Sequence, residues 1–220
     1  MARISDGRQP VEPINKQQLE RWNRILDAAE NLGSQQGLDQ VQVSEVARDA
    51  GVALGTVYRY FPTKAWLFTT LLQTRVKSLM TVRTLTHTDD PVTSIADALI
   101  ELNRKLLARP LLAAAMVQST LNGLSNVSPD QVDRVEQSMM AAIFSVLSDG
   151  NPDEQTTSRA RLLGYSWWGV LVSVMSGRIS AEAGEVELRD ATHLLLGSLT
   201  DARLRAVEPK RSRQADPRAV

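Results

Sequence analysis

The chain has 220 residues, no cysteine, and equal numbers of basic and acidic residues, 25 of each. This length accommodates one small and one larger domain, and the absence of cysteine excludes disulfides and thiolate chemistry. No stretch reaches the roughly 18 apolar residues of a membrane span, and the N-terminus lacks the apolar core of a signal peptide. We therefore expect a soluble cytoplasmic protein with no cofactor and no membrane association.

Charge is distributed unevenly along the chain. Residues 1–80 carry ten Lys/Arg and eight Asp/Glu, residues 81–202 carry nine and fifteen, and residues 203–220 carry six and two. A slightly basic N-terminal part beside an acidic body is the arrangement expected when one small domain contacts phosphate. Charged residues that merely solvate the surface would give similar counts.

A flexible arm and one helix are predicted at the start of the chain. Residues 1–17 are rich in proline, glycine and polar residues, as mobile termini are. The first helix is predicted from Leu19 to Gln36, and Gly37 is expected to end it. Its apolar face consists of Trp22, Ile25, Leu26, Ala29 and Leu32.

Two short helices joined by a glycine turn are predicted in residues 41–64, VQVSEVARDAGVALGTVYRYFPTK. Val43, Val46 and Ala47 are spaced i, i+3, i+4 and give the first of these helices an apolar face. Gly51 lies where that helix must stop and reverse direction.

In the second short helix Val57 and Phe61 lie four residues apart and are expected to face inward, and Pro62 ends the helix. Two helices around a turn of three or four residues form a helix-turn-helix, whose second helix enters the major groove of DNA. The side chains expected to project outward or along its rims are Thr56, Tyr58, Arg59 and Tyr60.

The segment GVALGTVYRYFPTK, residues 51–64, resembles the recognition-helix signature of the TetR family of bacterial transcription regulators, which commonly reads G-V-S-x-G-T-x-Y-x-Y/H-F-x-x-K. Two positions depart from it. Ala53 stands where the family usually has a serine that could cap the recognition helix, and Leu54 stands where many members have a polar or basic residue. One ungapped alignment with the signature matches the Gly-Thr pair, Tyr58, Tyr60, Phe61 and Lys64.

The resemblance implies contacts to DNA phosphates from Thr56, Tyr58, Tyr60 and Lys64. Thr63 can cap the next helix. For Leu54 a contact with a thymine methyl group is more plausible than a bidentate hydrogen bond. Gln42, with Glu45 three residues on, makes a weaker version of a capping box. The residues predicted to contact DNA are Gln42, Ser44, Val52, Ala53, Leu54, Gly55, Thr56, Tyr58, Arg59, Tyr60 and Lys64.

The rest of the chain is predicted to be helical, because no segment shows sustained period-2 alternation. The expected fold is all-α, with about nine helices in a three-helix head and a larger body for ligand binding and dimerisation. The predicted regions are an arm at 1–17, a DNA-binding head at 18–64, a body at 65–206 and a disordered tail at 207–220. The predicted body helices are Lys64 to Thr86 as a linker, Val92 to Ala108, one opened by Pro110, one opened by Pro129, Glu154 to Ser176, and Glu185 to Arg205.

Three stretches of the body, LNRKLLARPLLAAAM, DQVDRVEQSMMAAIF and the helix with the Trp167-Trp168 pair, are similar to actinobacterial TetR-type repressors of cholesterol and steroid catabolism. This implies a repressor released from its operator by a large apolar effector, in those relatives a steroid carried as a coenzyme A thioester. Methionine and aromatic side chains suit such ligands, although they equally fill an ordinary core. The residues predicted to contact the ligand are Trp66, Phe68, Leu72, Leu102, Asn103, Met116, Gln118, Met139, Phe144, Trp167, Trp168 and Leu171.

Small residues recur along the last two predicted helices, where they permit close helix approach in either a core or an interface. In the resembling family these two helices pair with their copies as a four-helix bundle, and two-fold symmetry places two recognition helices on successive faces of the DNA. We therefore expect a homodimer. The small residues are Gly164, Ser166, Gly169, Ser173, Gly177, Ala191, Gly197 and Ser198.

An enzyme is the rival class, and the sequence gives it little support. His87 lies in a predicted loop and His193 lies among leucines, where we interpret it as a structural histidine. HExxH, GxSxG and Walker motifs are missing, and Asp89-Asp90 is interpreted as a loop and helix cap rather than a metal pair. We expect no catalytic residues and no metal. Two other hypotheses remain, an architectural DNA-binding protein without a ligand and a TetR-type regulator of drug efflux.

Overall fold

The computed structural model describes residues 10–80, 90–126, 130–147 and 152–211. These residues form nine α-helices and contain no strand, so the all-α prediction is confirmed. None of these helices is both long and apolar enough to cross a membrane. The helices are α1 (Lys16–Gln40), α2 (Val43–Asp49), α3 (Leu54–Tyr60), α4 (Lys64–Leu79), α5 (Pro91–Leu107), α6 (Pro110–Asn126), α7 (Asp130–Leu147), α8 (Glu154–Met175) and α9 (Ala181–Arg211).

The last helix differs most from its predicted bounds. It begins at Ala181 because the backbone N–H of Ala183 donates to the hydroxyl of Ser180, which supplies the N-terminal cap. It continues to Arg211, inside the segment predicted to be a disordered tail. The first nine residues of the arm, the predicted end of the linker helix at 81–86, and residues 212–220 lie outside the described residues.

The last helix was predicted to begin at Glu185, and Gly184, just before it, instead lies inside α9, where it permits close packing on α8. A Cβ atom at Gly184 would lie 2.8 Å from Cγ2 of Val174 and 3.1 Å from Cγ1 of Val170. The close approach of these two helices therefore requires a glycine at this position.

The described residues divide into two compact units. The first unit contains the chain up to Val76 together with Arg104–Gln137, and the second unit contains Lys77–Asn103 together with the chain from Ser138. The head helices thus share a unit with most of α4 and with α6. Helical periodicity in the sequence does not reveal which body helices pack against the head, and the predicted boundary at residue 64 stays a prediction.

In the first unit, Gly33 allows α1, α4 and α6 to meet closely. A Cβ atom at Gly33 would lie 2.6 Å from Cε1 of Phe68 on α4 and 3.0 Å from Cδ1 of Leu112 on α6. Gly37, predicted to end the first helix, has φ 74° and interrupts the helical backbone inside α1. The backbone N–H of Val41 donates to the carbonyl of Gly37, which closes this turn.

A buried carboxylate also joins these three parts of the first unit. Glu30 on α1 has a side chain that is only 11% exposed. Its Oε1 accepts a hydrogen bond of 2.6 Å from Arg109, which directly precedes α6, and its Oε2 accepts one from Arg75 on α4. Because the buried carboxylate bonds both guanidinium groups, we expect its removal to destabilise the first unit.

In the second unit, aspartates cap two helices. Asp153 accepts a hydrogen bond of 2.7 Å from the backbone N–H of Thr156 at the start of α8. Asp90 accepts hydrogen bonds from the backbone N–H of Val92 and from both the N–H and the hydroxyl of Thr93 at the start of α5. The Thr93 hydroxyl is the main reason why the pKa of Asp90 is lowered. The prediction that Asp90 is a helix cap is confirmed, whereas Asp89 lies outside the described residues.

Candidate functional sites

The turn between α2 and α3 has the geometry that a helix-turn-helix requires. Gly51 has φ 64°, and its N–H donates to the carbonyl of Arg48. The N–H of Val52 donates to the carbonyl of Ala47 at 3.0 Å, which completes a Schellman turn. A residue with a side chain would be strained at this φ, so the prediction that Gly51 reverses the chain is confirmed.

Helix α3 has a buried face and an exposed face. Val57 and Phe61 are buried, as predicted. Leu54 is 42% exposed and Tyr58 is 47% exposed, and Arg59 also faces solvent. No side chain caps the N-terminus of α3, as expected where alanine replaces the family's serine. The other predicted DNA-contacting residues are exposed at Gln42, Ser44, Ala53 and Gly55, and partly exposed at Val52 and Thr56.

Tyr60 does not belong to the exposed face of α3, contrary to the prediction. Its side chain is fully buried, and its ring lies 5.6 Å from Trp22 of α1 in an edge-to-face arrangement. Trp22 also packs at 4.4 Å on Phe61. Tyr60 follows Val57 by three residues and so belongs to the same inward stripe of α3. Its hydroxyl accepts a hydrogen bond of 3.3 Å from Arg59, so the prediction that Tyr60 projects outward to phosphate was wrong.

Lys64 has intramolecular partners in the absence of DNA. Its ammonium group donates to the carbonyl of Leu38 at 2.6 Å and to that of Val41 at 3.1 Å. These carbonyls end α1, where a cation is favoured by the helix dipole. The ammonium therefore ties the start of α4 to the end of α1. Its contact with phosphate stays a prediction.

The two predicted caps in the head had different outcomes. The hydroxyl of Thr63 accepts a hydrogen bond of 3.0 Å from the backbone N–H of Trp66, so the predicted cap of α4 is confirmed. Gln42 makes no side-chain capping hydrogen bond at α2, so the predicted capping box with Glu45 was wrong. The longer glutamine side chain stays exposed, whereas a serine or threonine is short enough to fold back onto the helix.

Replacing Lys64 by methionine is expected to destabilise the protein by about 1–2 kcal/mol, because hydrogen bonds to charged groups are lost at the end of α1. Thermal unfolding of this variant, compared with Lys77→Met, gives the measurement. Lys77 is an exposed residue in the last turn of the same helix and serves as the control. Equal melting temperatures for the two variants would show that the Lys64 ammonium contributes nothing to the fold.

The residues predicted to contact a ligand lie in both units. Trp66, Phe144 and Trp168 are partly exposed, and Gln118 is exposed, so Gln118 is not part of a buried face and its ligand contact stays a prediction. Phe68 packs against Gly33, as described above, which gives it a structural role in the first unit. The buried members of the set are Phe68, Leu72, Leu102, Asn103, Met116, Met139, Trp167 and Leu171.

Two of these buried residues carry polar atoms that the second unit does not satisfy. Within the described part of the chain, Oδ1 of Asn103 and Nε1 of Trp167 have no hydrogen-bond partner. The ring of Trp167 lies 6.0 Å from that of Trp168. A Cβ atom at Gly164, one turn before Trp167 on α8, would lie 3.1 Å from Cε of Met139. Gly164 therefore serves packing within the chain and is not available for packing on a second copy.

An exposed apolar face extends over α8 and α9. Leu194 is 82% exposed, and a Cβ atom at Gly169 or Gly197 would have no neighbour within 4 Å. His193 is exposed beside Leu194, so its interpretation as a structural histidine stays a prediction, while His87 lies outside the described residues. Among the side chains that the structure describes on these helices, the other large exposed apolar ones are Leu162, Tyr165 and Val186, which the sequence did not single out. The described ranges contain no cluster of three His, Asp or Glu side chains suited to a metal ion.

Comparison with known proteins agrees with this arrangement. Residues 25–71 match the model of bacterial regulatory proteins of the tetR family, and residues 89–195 match that of the tetracyclin repressor-like C-terminal domain. The chain is 32% identical over 183 residues to the HTH-type transcriptional repressor KstR of Mycolicibacterium smegmatis, covering 82% of this chain and 89% of that protein. It is 31% identical over 187 residues to KstR of Mycobacterium tuberculosis, covering 84% of each.

A solved structure gives the same relationship. The crystal structure of a TetR transcriptional regulator from Rhodococcus sp. RHA1 superposes with a TM-score of 0.73 at 34% identity, and the match covers 82% of this chain and 98% of that one. Identity above 30% over most of both chains extends through the head and the body. The chain belongs to the TetR family of transcription regulators.

Proposed function

We propose that the protein is a dimeric repressor that leaves its operator when a large apolar effector, a steroid or its coenzyme A thioester, binds to the body. The exposed face of α3, with Leu54, Tyr58 and Arg59 presented beyond a sharp glycine turn, carries the DNA-binding part of this proposal. Similarity to repressors named KstR over 82% or more of the chain supports repression. The steroid class is supported by the resemblance of the body to repressors of steroid catabolism.

The two ends of α3 have different roles in this proposal. Thr56, Tyr58 and Arg59 offer hydroxyl and guanidinium donors, which hold the head on phosphate oxygens. Leu54 has no hydrogen-bonding group and its exposed side chain lies in the first turn, so it contacts the thymine methyl group in the major groove. The intermolecular contacts of Tyr58 and Arg59 set affinity, and that of Leu54 sets base preference.

Leu54→Ala is expected to lower the preference for thymine at one operator position severalfold and to leave affinity for random DNA unchanged, because the apolar contact is lost while the phosphate contacts persist. A library of operator variants sequenced after selection measures the preference. Tyr58→Phe is the matched comparison, because it removes a phosphate donor and should weaken binding to all sequences alike. An unchanged base profile for Leu54→Ala would remove this residue from direct readout.

The exposed apolar face of α8 and α9 supports dimerisation through these two helices. Leu162, Tyr165, Val186 and Leu194 are large apolar residues exposed on one chain, and burying them against a second copy stabilises a dimer by about 25 cal/mol per Å² of apolar surface. Gly169 and Gly197 leave room for the partner's backbone. A two-fold axis then sets two recognition helices about one DNA turn, roughly 34 to 36 Å, apart.

Coupling of effector to DNA is proposed to run through the first unit. Glu30, Gly33 and Lys64 tie α1 to α4 and α6 by ion pairs, close packing and hydrogen bonds. A movement of α4 or α6 on effector binding therefore displaces the head with them. Typical coupling between two sites is about 1–3 kcal/mol, which corresponds to roughly 5- to 150-fold release from DNA.

The proposal is tested by release from a selected operator. Genomic fragments bound by the protein supply the operator, and a 3-oxo-steroid coenzyme A thioester and palmitoyl coenzyme A are then titrated into the complex. We expect the steroid thioester to release the protein from its operator at concentrations that leave complexes with non-specific DNA intact. An architectural protein would be released by neither thioester, and release by palmitoyl coenzyme A alone would reject the steroid class.

A further inference from the structure

Two buried polar atoms in the second unit lack a structural purpose. Asn103 on α5 is 4% exposed and Trp167 on α8 is 1% exposed. In the described part of the chain, neither Oδ1 of Asn103 nor Nε1 of Trp167 has a hydrogen-bond partner. Buried polar groups in folded proteins are almost always paired, so each exception needs a reason.

Asn103 is unfavourable to the fold at its position. Leu99 and Leu106 lie one turn before and after it on the same buried face of α5. Asparagine has a lower helix propensity than leucine, and burying its carbonyl oxygen without a donor costs stability. A leucine of similar shape would continue the apolar face without either cost. The fold alone therefore gives no reason for an amide at this position.

Trp167 raises the same question on α8. Its indole is among the largest fully buried side chains, and its ring lies beside that of Trp168. A buried tryptophan normally donates its N–H to an acceptor, whereas this one has none among the described residues. Positions that break the rules of a stable core without compensation inside the chain are typical of functional sites.

We propose that Trp167 and Asn103 are the polar contacts of the effector site, and that they select an effector bearing an oxygen function on its otherwise apolar skeleton. This inference rests on the proposed function and narrows it. The indole N–H is a donor only, so it requires an acceptor such as a ketone or hydroxyl oxygen. The amide oxygen of Asn103 requires a donor, which a hydroxyl group supplies. A hydrocarbon of the same shape satisfies neither atom.

The test uses three matched probes delivered in cyclodextrin: cholestane, cholestan-3-one and cholestan-3-ol. The resonance of the Trp167 indole proton is assigned with Trp167→Phe. In the free protein this resonance is expected upfield, because the indole proton has no acceptor in the part of the chain that the structure describes. Binding of the ketone or the alcohol should move the resonance downfield, whereas binding of cholestane should not. The oxygenated probes should bind wild type about tenfold more tightly than cholestane. Trp167→Phe should reduce this difference to within about twofold for the ketone, and Asn103→Leu should reduce the preference for the alcohol while leaving that for the ketone.

Thermal stability separates this role from a structural one. Asn103→Leu is expected to raise the melting temperature by about 2–4 °C, because an unpaired polar atom is removed. Thr192→Val is the control, since the buried Thr192 hydroxyl already donates to the carbonyl of Leu188 and its loss should not stabilise the protein. If wild type binds none of the three probes, the steroid class of the proposed function fails. A lower melting temperature for Asn103→Leu, or an indole proton that is hydrogen-bonded in the free protein, overturns the present inference whichever ligand binds.

Discussion

Replacing Leu194 by aspartate is expected to separate the dimer and to weaken operator binding by about 100-fold or more. Among the described side chains of α8 and α9, Leu194 is the most exposed large apolar one, so a charge there costs the isolated chain little. In the dimer the same charge would be buried against apolar groups of the second copy without a partner. Once the two heads are no longer linked, the gain from simultaneous binding, about 10²–10⁴, is lost.

Sedimentation velocity gives the oligomeric state of Leu194→Asp, and fluorescence anisotropy gives its operator affinity. Leu121→Asp is the matched control, because Leu121 is also an exposed leucine but lies on α6. The control should remain dimeric and should bind the operator like wild type. A Leu194→Asp protein that is still dimeric would place the interface elsewhere than on α8 and α9.

Replacing Glu30 by glutamine is expected to destabilise the protein by about 2 kcal/mol and to lower the melting temperature by about 4–8 °C. Arg75 and Arg109 both donate to its carboxylate, and without that charge the two guanidinium groups repel each other. Both arginines are about half exposed, so solvent screening reduces the penalty from the 3–5 kcal/mol or so of a fully buried pair.

The control for this prediction is Glu20→Gln, an exposed glutamate on the same helix that should change stability little. A double-mutant cycle between Glu30→Gln and Arg109→Met isolates the interaction, with an expected coupling of about 1 kcal/mol. Glu30→Gln should also reduce the effect of effector on operator affinity, because α1 is then held less firmly to α4 and α6. Wild-type stability for Glu30→Gln would show that the ion cluster does not join these helices.

The helix-turn-helix could be predicted from the sequence because its geometry depends on local spacing. Gly51 needs a positive φ, and Val57 and Phe61 are buried on one side of α3, which is only about two turns long. Tyr60 was misjudged because a tyrosine at i+3 fits either the rim or the inward stripe. The ring of Trp22, from a distant part of the sequence, decides in favour of the inward stripe.

Contacts between distant segments could not be predicted in this way. Nothing local to Glu30 indicates that arginines 45 and 79 residues later will share its carboxylate. The small residues of α8 had the same ambiguity. Gly164 and Gly169 lie five residues apart and so project about 140° apart around α8, but only the packing of the helix against its neighbours shows that the first faces Met139 and the second faces open space. The ligand-contacting set stays a prediction, although the unpaired atoms of Asn103 and Trp167 distinguish two of its members from plain core.

The most direct test of effector-controlled repression is a linkage measurement on the full-length dimer. Calorimetry gives the affinity for a 3-oxo-steroid coenzyme A thioester with and without saturating operator, and anisotropy gives the affinity for operator with and without the thioester. Because linkage is reciprocal, both ratios should agree, at a value between about 5 and 150. An affinity for the thioester that is the same in the presence and absence of operator would contradict the proposed mechanism.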